Sequence, residues 1–329
     1  MLTFCARKVF FCFLVLSISL SSSSFASTPT IKVAALEFGT INWVLQTIKR
    51  TQLDKKNGFN LTIHPVANTQ AGKIALQANA ADIIISDWIW VARLRGNQQT
   101  KFSFAPYSSA NGGVMVSKRS SITLLSDLAH QTIGIAGGPL DKNWLLLQAL
   151  ALRENIPLND RVNTVFGAPP LLNSLFKQGD LDALVNFWHY NARLKAEGYV
   201  EFTTTQKIIE QLGIKNRIPM LGYVFRPTWA HNNNLALNSF LNVSQQASLL
   251  LCQSDSHWAA ILPLTRTDNR SVQALLRKGF CNGRITHFSD DDKHAVGRIY
   301  SILADIGGQQ LTGPISRLDP DLFWPLPLP

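Results

Sequence analysis

Cysteine is scarce, four in 329 residues, and the seven histidines form no H-x-x-x-H pair and stand at no ligand spacing from a cysteine. A zinc site is therefore not expected, nor any other metal or cofactor. There is no G-x-S-x-G elbow and no phosphate-binding P-loop, so the serine-hydrolase and nucleotide signatures are missing. Beyond the first twenty residues no apolar run reaches the ~18 residues a membrane span needs. Charged residues make up only 16%, and the net charge of +10 comes from lysines and arginines scattered singly. With no basic stripe or arginine-rich run, nucleic acid is not an expected partner.

What is present begins with a leader. Arg7 and Lys8 precede "VFFCFLVLSISL" (9–20), which is too short for a bilayer of roughly 30 Å. A serine run follows, with small residues at Ser24 and Ala26, so residues 1–26 read as a secretory signal cut after Ala26 and the mature chain as periplasmic. An uncleaved anchor is the second reading. A lipoprotein fits worse, because Cys12 lies inside the apolar run and no cysteine stands at the cut. Removing Arg7 and Lys8 leaves 29 basic residues against 21 acidic ones, about +8, which helps solubility without naming a partner. Cys252 and Cys281 survive, and two readings stand for them: a disulfide in an oxidising compartment, or two buried thiols.

About 300 mature residues, 46% apolar over the whole chain, suffice for two cores, since single cores stop growing near ~250–300 residues. "IKVAAL" (31–36) reads as a strand, and then Ile41, Val44, Leu45 and Ile48 fall on one helical face that Gly58 can close. "NLTIHPV" (60–66), "TQAGKIALQANA" (69–80) and "ADIIIS" (81–86) repeat the unit. After "SSANGGVMVSK" the same grammar returns: "QTIGIAGG", "DKNWLLLQALALREN", "RVNTVF", "PPLLNSLFKQGD" and "LDALVNF". Past "IPMLGYVFRP" the chain reads as helical, including a helix capped by Ser289 and Asp292 and stopped by Gly307 and Gly308. The acidic run 290–292 is read as a solvated helix start rather than a metal site. The fold class is α/β, with right-handed crossovers in mixed, mostly parallel sheets flanked by helices. Crossings near Gly113 and Gly222 divide it into lobe 1 (27–112 and 222–329) and lobe 2 (113–221).

Ligands of such sheets lie outside the carboxyl ends of the strands. Four strand-to-helix turns meet that condition: "EFGTINW" (37–43), "SDWIW" (86–90), "GGPLDKNW" (137–144) and "NFWHY" (186–190). Five of the eight tryptophans, Trp43, Trp88, Trp90, Trp144 and Trp188, fall in or just beyond them. Each alone is more often core than platform, with Trp90 the weakest candidate, yet together they suggest that at least two line a shared cleft. Glu37, Thr40, Asn42, Ser86, Asp87, Asp141, Lys142, Asn143, Asn186 and His189 share these turns. Asp87 and Asp141 could equally cap their helices, and His189 could simply pack. The carboxylates suggest a cation or amine; the helix N-termini, the Gly137–Pro139 loop and Lys142 suggest an anion.

In order, "IKVAALEFGTINWVL", "ANAADIIISDW", "GGVMVSK", "SDLAHQTIGIAGGPLDKNWLLLQALALRENIPL", "LFKQGDLDALVNFW" and "YVFRPTWAHNN" resemble the solute-binding proteins of bacterial ABC importers. The nitrate, sulfonate, taurine and thiamine-precursor group is the nearest type. The resemblance covers most of 31–251 and rests on order and spacing rather than any one motif. It implies a two-lobed, hinged type II periplasmic-binding-protein fold that acts as a monomer, holds a small molecule in its cleft and docks on a membrane permease. By the same resemblance the binding positions are Phe38, Gly39 and Thr40, then Ser86 and Asp87, then Gly138, Pro139 and Asp141, then Asn186 and Trp188. The residue reading adds Glu37, Trp43, Trp88, Trp144 and His189. The tryptophan load and the acidic turns depart from sulfonate and nitrate binders, which points to a flat heteroaromatic ligand, with a quaternary amine second. An enzyme on the same fold, desulfinase- or dehydratase-like, is one rival; a ligand-presenting sensor is another.

Overall fold

The computed structural model describes residues 28–97 and 101–326. The expected leader and its cut lie outside the described residues. Ten strands run β1 (Thr30–Leu36), β2 (Asn60–Val66), β3 (Ile83–Ser86), β4 (Ser103–Ser108), β5 (Gly112–Val116), β6 (Thr132–Ala136), β7 (Asn163–Gly167), β8 (Ala183–Phe187), β9 (Val200–Thr204) and β10 (Leu221–Phe225). They form two five-stranded sheets, β2-β1-β3-β10-β4 and β7-β6-β8-β5-β9. The orders match: in each sheet three parallel strands are followed by an antiparallel one, β10 or β5, reached directly from a crossing between sheets. The mixed α/β class read from the sequence is therefore what the chain forms.

The helices around the first sheet are α1 (Ile41–Thr51), α2 (Leu53–Lys56), α3 (Thr69–Gln77) and α4 (Trp88–Gly96). Around the second lie α5 (Lys142–Arg153), α6 (Leu158–Arg161), α7 (Pro169–Gln178), α8 (Trp188–Ala196) and α9 (Thr205–Gln211). The chain then returns through β10 to α10 (Pro227–Asn232), α11 (Asn234–Gln253), α12 (Asp255–Ala259), α13 (Leu262–Thr265), α14 (Arg270–Asn282) and α15 (Asp290–Thr312).

Periodicity explains α1, where Ile41, Val44, Leu45 and Ile48 are all buried, each such side chain contributing about 1.5–3 kcal/mol. Its end differs from expectation: Gln52, at φ 55°, closes the helix, and α2 fills the stretch before Gly58. The Ser289 cap of α15 is reciprocal, since Asp292 N–H donates to Ser289 Oγ and Ser289 N–H to Asp292 Oδ2. Gly308 breaks that helix as expected, at φ 57° and ψ −162°, and a further turn then runs to Thr312. Cys252 and Cys281 are bonded to each other, tying the end of α11 to the end of α14.

One motif in each half has a structural explanation. Asp82 accepts from Lys32 N–H at 2.9 Å and Asp182 from Thr132 N–H at 2.8 Å, each spanning 50 residues. An aspartate just before the third parallel strand thus pins the beginning of the first, and the device is repeated in both sheets. The glycines at the first crossing are there for close approach, because a Cβ on Gly112 would lie 2.0 Å from Asn186 O and one on Gly113 2.3 Å from Thr203 O.

The C-terminal helices are not an appendage of one sheet. α15 packs on α5 and on α4, and α14 packs on α8. One apolar cluster accordingly runs from Ala34 and Trp88 through Val296 and Tyr300 to Leu145 and Val185. Among the described residues no helix is long and apolar enough to cross a membrane.

Candidate functional site

Four strand-to-helix turns converge from the two sheets, as the carboxyl-end rule requires. They enclose a cavity of about 430 Å³ bounded by Gly39, Thr40, Ser86 and Asp87 on one side and by Gly137, Asp141, Lys142, Trp188 and His189 on the other. That volume falls within the ~300–1,000 Å³ of ordinary small-molecule pockets. Tyr107, Ala110 and Asn111, at and beside the first crossing, close its floor together with Met220 and Leu221 beside the second.

Each turn presents its helix differently. Asp87 caps α4 by accepting from Trp90 N–H at 2.9 Å. Asp141 caps α5, accepting from Asn143 N–H at 2.9 Å and Trp144 N–H at 3.3 Å. The loop before it turns through Gly137 and Gly138 at φ 91° and 88°, a conformation that side chains disfavour. Thr40 before α1 and Phe187 before α8 give no side-chain cap; instead Asn42 N–H and Trp43 N–H donate to Gly39 O and Thr40 O, and Trp188 N–H donates to Asn111 O across the first crossing.

Two lysines and two aspartates carry the charge of the cavity wall. Lys142 Nζ reaches Asp87 Oδ2 at 3.6 Å, a pair that joins the two sheets. Lys73, from α3, also faces Asp87 while its Nζ lies 5.0 Å over the Trp90 ring. Burial pushes the Asp87 carboxyl up, but Lys142 and Lys73 outweigh it and hold the group below the usual carboxylate range. Burial lowers Lys73 despite Asp87, and burial raises Asp141 against the pull of Lys142. One carboxylate is thus shared between two ammonium groups, and the other already serves two helix amides. His189 is driven down to about 4 by burial, with Arg193 adding to the effect, so its imidazole is neutral at physiological pH. Among the described residues its Nδ1 is buried without a partner, and so is Nδ2 of Asn111, which lines the same cavity.

Comparison with solved structures follows the same outline. The periplasmic aliphatic sulphonate binding protein SsuA from Escherichia coli superposes with a TM-score of 0.73 at 15% identity, covering 92% of this chain and 94% of that one. The two-lobed type II periplasmic-binding-protein fold is the fold of this chain. The alkanesulfonate-binding protein SsuA from Xanthomonas axonopodis pv. citri, bound to MOPS, matches this periplasmic-binding-protein fold at TM-score 0.67 and 15% identity over 90% and 98% of the two chains. A DszB mutant in complex with biphenyl-2-sulfinic acid shares it at TM-score 0.61 and 13% identity, over 91% and 97%. No family model matches the chain, and no curated protein does.

Within this binding-protein fold the residues expected at the site separate into two groups. Gly39, Thr40, Ser86, Asp87, Asp141, Trp188 and His189 line the cavity. Gly138, Pro139 and Asn186 do not. Asn186 is fully buried, its side chain bonded to Asn173 Oδ1 and Pro169 O and accepting from Phe187 N–H, so it braces the turn from behind. Glu37 is exposed, and Phe38 faces outward under the Arg266 guanidinium, 3.4 Å from the ring centre.

The tryptophan expectation needs correction. Trp88 is fully buried, with its Nε1 donating to Pro219 O at 2.6 Å, and Trp144 is equally enclosed. Trp90 stacks on Phe102 in the same core. Trp43 stands edge-on to Trp188 and Trp258, with ring centres 6.2 and 5.4 Å away, inside an aromatic cluster of the first sheet. Only Trp188 among the five lines the cavity. At the start of a helix successive side chains point about 100° apart, so standing in the right turn does not decide facing the gap. Sequence reasoning missed Lys73, Tyr107 and Asn111. Lys73 stands inside a helix, where the turn filter does not look, and the other two belong to a crossing whose path is set by both sheets.

Proposed function

We propose that this chain is an exported solute-binding receptor that captures a small organic acid between its two lobes and delivers it to an ABC permease. The lobes are 27–112 with 222–329, and 113–221; export rests on the N-terminal segment, and the receptor works as a monomer. The observation that carries the reading is the cavity itself, lined from both sheets at their carboxyl ends with Lys73 and Lys142 on either side of Asp87. A ligand touching both lobes binds the closed arrangement more tightly than the open one, which is the differential that closure requires.

The ligand is flat and acidic. Its acid group lies with Lys73 and Lys142, its plane against Trp188 beside Phe187 and His189, and its ring heteroatoms or carbonyls answer His189 Nδ1 and Asn111 Nδ2. A quaternary amine is disfavoured, because Asp87 is already shared by two lysines. The comparison proteins named for sulfonates support an acid without extending to its identity. One rival is kept open by the DszB likeness: an enzyme on this fold. Cys252 and Cys281, however, are bonded to each other in the C-terminal helices and do not line the cavity.

The test is mass spectrometry of small molecules released on denaturing natively exported protein, followed by calorimetric titration of what is found. A planar acid is expected, with Lys73→Met or Lys142→Met each weakening it about tenfold, equivalent to about 1.4 kcal/mol. Recovery of a cation, or unchanged affinity in both lysine variants, would refute the ligand class. Conversion of the compound during titration would favour the enzyme.

A further inference from the structure

The end of α14 touches both crossings and the cavity wall. Gly279 lies under Trp188, where a Cβ would stand 2.7 Å from the indole, and Phe280 meets Trp43 with ring centres 5.6 Å apart. Asn282 O accepts from the Arg217 guanidinium, on the segment that leads into the second crossing. Gly283 O accepts from Ser109 N–H at 2.8 Å in the first crossing, and a Cβ on Gly283 would lie 2.4 Å from that of Ala110. Arg284 then bridges to Ser108, whose carbonyl accepts from Met220 N–H at 2.8 Å. Ala110, Met220 and Trp188, all held by this one stretch, line the ligand cavity.

Two links fasten α14 to α11. The Arg277 side chain donates from Nε to Leu251 O at 3.0 Å and from Nη2 to Cys252 O at 3.2 Å. Cys281, one turn further on, is bonded to Cys252. Arg277 thus secures the body of the helix, whereas the covalent link lies within the turn that bears the crossings. The bond is also within reach of solvent. Both cysteines are half-buried and line an open recess that Arg270, Arg277 and Lys278 share. Arg277 and Lys278 stand four and three residues before Cys281, on the same face of the helix. Cations so placed favour the thiolate that leaves when such a bond opens.

We propose that Cys252–Cys281 is an exchangeable positioning link: intact, it fixes the last turn of α14 against both crossings and under Trp188, and its opening by a small thiol in the folded protein loosens crossings and cavity wall together. In the exchange a reductant thiolate attacks Cys252 Sγ, forming a mixed disulfide as Cys281 leaves as a thiolate. A second reductant thiolate then attacks the reductant sulfur of that mixed disulfide and frees Cys252. The protein pair gains two electrons and two protons, and the reductant, having given up both, ends as its own disulfide. A disulfide that is only a staple acts by constraining the unfolded chain and leaves local motions of the folded state as they were. The two roles therefore differ in where the folded protein loosens, whatever the cavity binds.

The experiment is residue-resolved hydrogen exchange on the full mature chain, oxidised and after reduction with dithiothreitol, well below the unfolding temperature. On reduction the amides of Ser109, Trp188 and 280–285 are expected to exchange about tenfold faster or more, while those within β1 and β6 keep their rates. The emission that Trp188 contributes, wild type minus Trp188→Phe, shifts in parallel. Faster exchange confined to the strand amides, or equal everywhere, would reveal an ordinary staple and overturn the proposal; so would a bond that dithiothreitol opens only in urea. Should the reduced protein unfold, the pair is closed through a methylene group with diiodomethane, each thiolate displacing one iodide. That cross-link still constrains the unfolded chain but is one atom longer, so faster exchange at Ser109 and Trp188 supports positioning, and rates equal to those of the oxidised protein would overturn it.

Discussion

Gly279, inside α14, lies under the only one of the five turn tryptophans that reaches the cavity. A Cβ placed there would stand 2.7 Å from Trp188 Cε3 and 2.9 Å from Cζ3, where ordinary contact begins at 3.4 Å. Gly279→Ala therefore asks the indole to move by about 0.7 Å. Trp43 blocks one direction of retreat, with its ring centre 6.2 Å away, so the indole is driven toward the cavity. Overpacking of this kind costs about 1–3 kcal/mol. Alanine in a helix interior gains back about 0.5–1 kcal/mol over glycine. The net expectation is a loss of ~0–2 kcal/mol, which alone would be ambiguous. Gly297→Ala in α15 supplies the reference, because nothing lies within 4 Å of a Cβ at that position. It should stabilise the protein by about 0.5–1 kcal/mol. The quantity to measure is the difference between the two variants in urea unfolding, expected at about 1–3 kcal/mol in favour of Gly297→Ala. Fluorescence gives a second readout: the emission lost on adding Trp188→Phe should have a different maximum in the Gly279→Ala background. If both alanines stabilise equally and that emission is unmoved, Trp188 does not rest on α14 and the cavity wall is wrong.

Three further outcomes follow from the same contacts. Trp88→Phe leaves Pro219 O without its buried donor and should cost about 2–3 kcal/mol in urea unfolding, while the affinity for any planar acid recovered from the protein stays as it was. His189, held at about 4 in the folded protein against its usual 6.5, binds fewer protons folded than unfolded between those values. Stability should therefore be full above pH 6.5 and fall as pH drops toward 4, and His189→Asn should flatten that part of the stability profile; an unchanged profile would show that the imidazole is not buried. Replacing Cys252 and Cys281 together by serine opens a link across 29 residues, for which chain entropy gives a loss of about 3–4 kcal/mol, and an equal midpoint for oxidised and reduced wild-type protein would show that the pair is not formed.

The architecture was legible because two different periods recur in the same order in both halves. Ile41, Val44, Leu45 and Ile48 announce a helix after a strand, and "QTIGIAGG" through "LDALVNF" repeats the sequence of events. Strands β4 and β9 were not legible. Both lie at a sheet edge, where a short segment such as "VEFTT" needs only one neighbour and carries little apolar pattern. In the site, the turns were found and the side chains facing the gap were found only in part. Asp87, Asp141 and His189 follow from position in a turn. Trp43, Trp88 and Trp144 do not, because which side of a helix start faces the gap depends on how the helix is rotated against its sheet, and that is settled by distant partners such as Pro219 and Trp258. Lys73 was missed because it stands inside α3, and no local rule connects that helix to Asp87.

The charges at the rim also bear on how a ligand could act. Lys142 and Asp87 join the two lobes directly, and as a partly exposed pair they contribute at most about 1 kcal/mol to holding the lobes together. Apolar contacts of α15 with α5, and of α14 with α8, hold the same two bodies whatever the cavity contains. On the proposed reading a ligand adds to closure only through what it changes, and an acid that takes Lys142 as its partner must replace an attraction that Asp87 supplied. Lys73 resolves this, because it leaves Asp87 with a cation of its own once Lys142 turns to the ligand. Lys73→Met should therefore weaken binding even of acids too short to reach Lys73, by stranding Asp87 beside the incoming anion. Affinity for such a short acid that is equal in Lys73→Met and wild type would show that Lys73 acts only by direct contact.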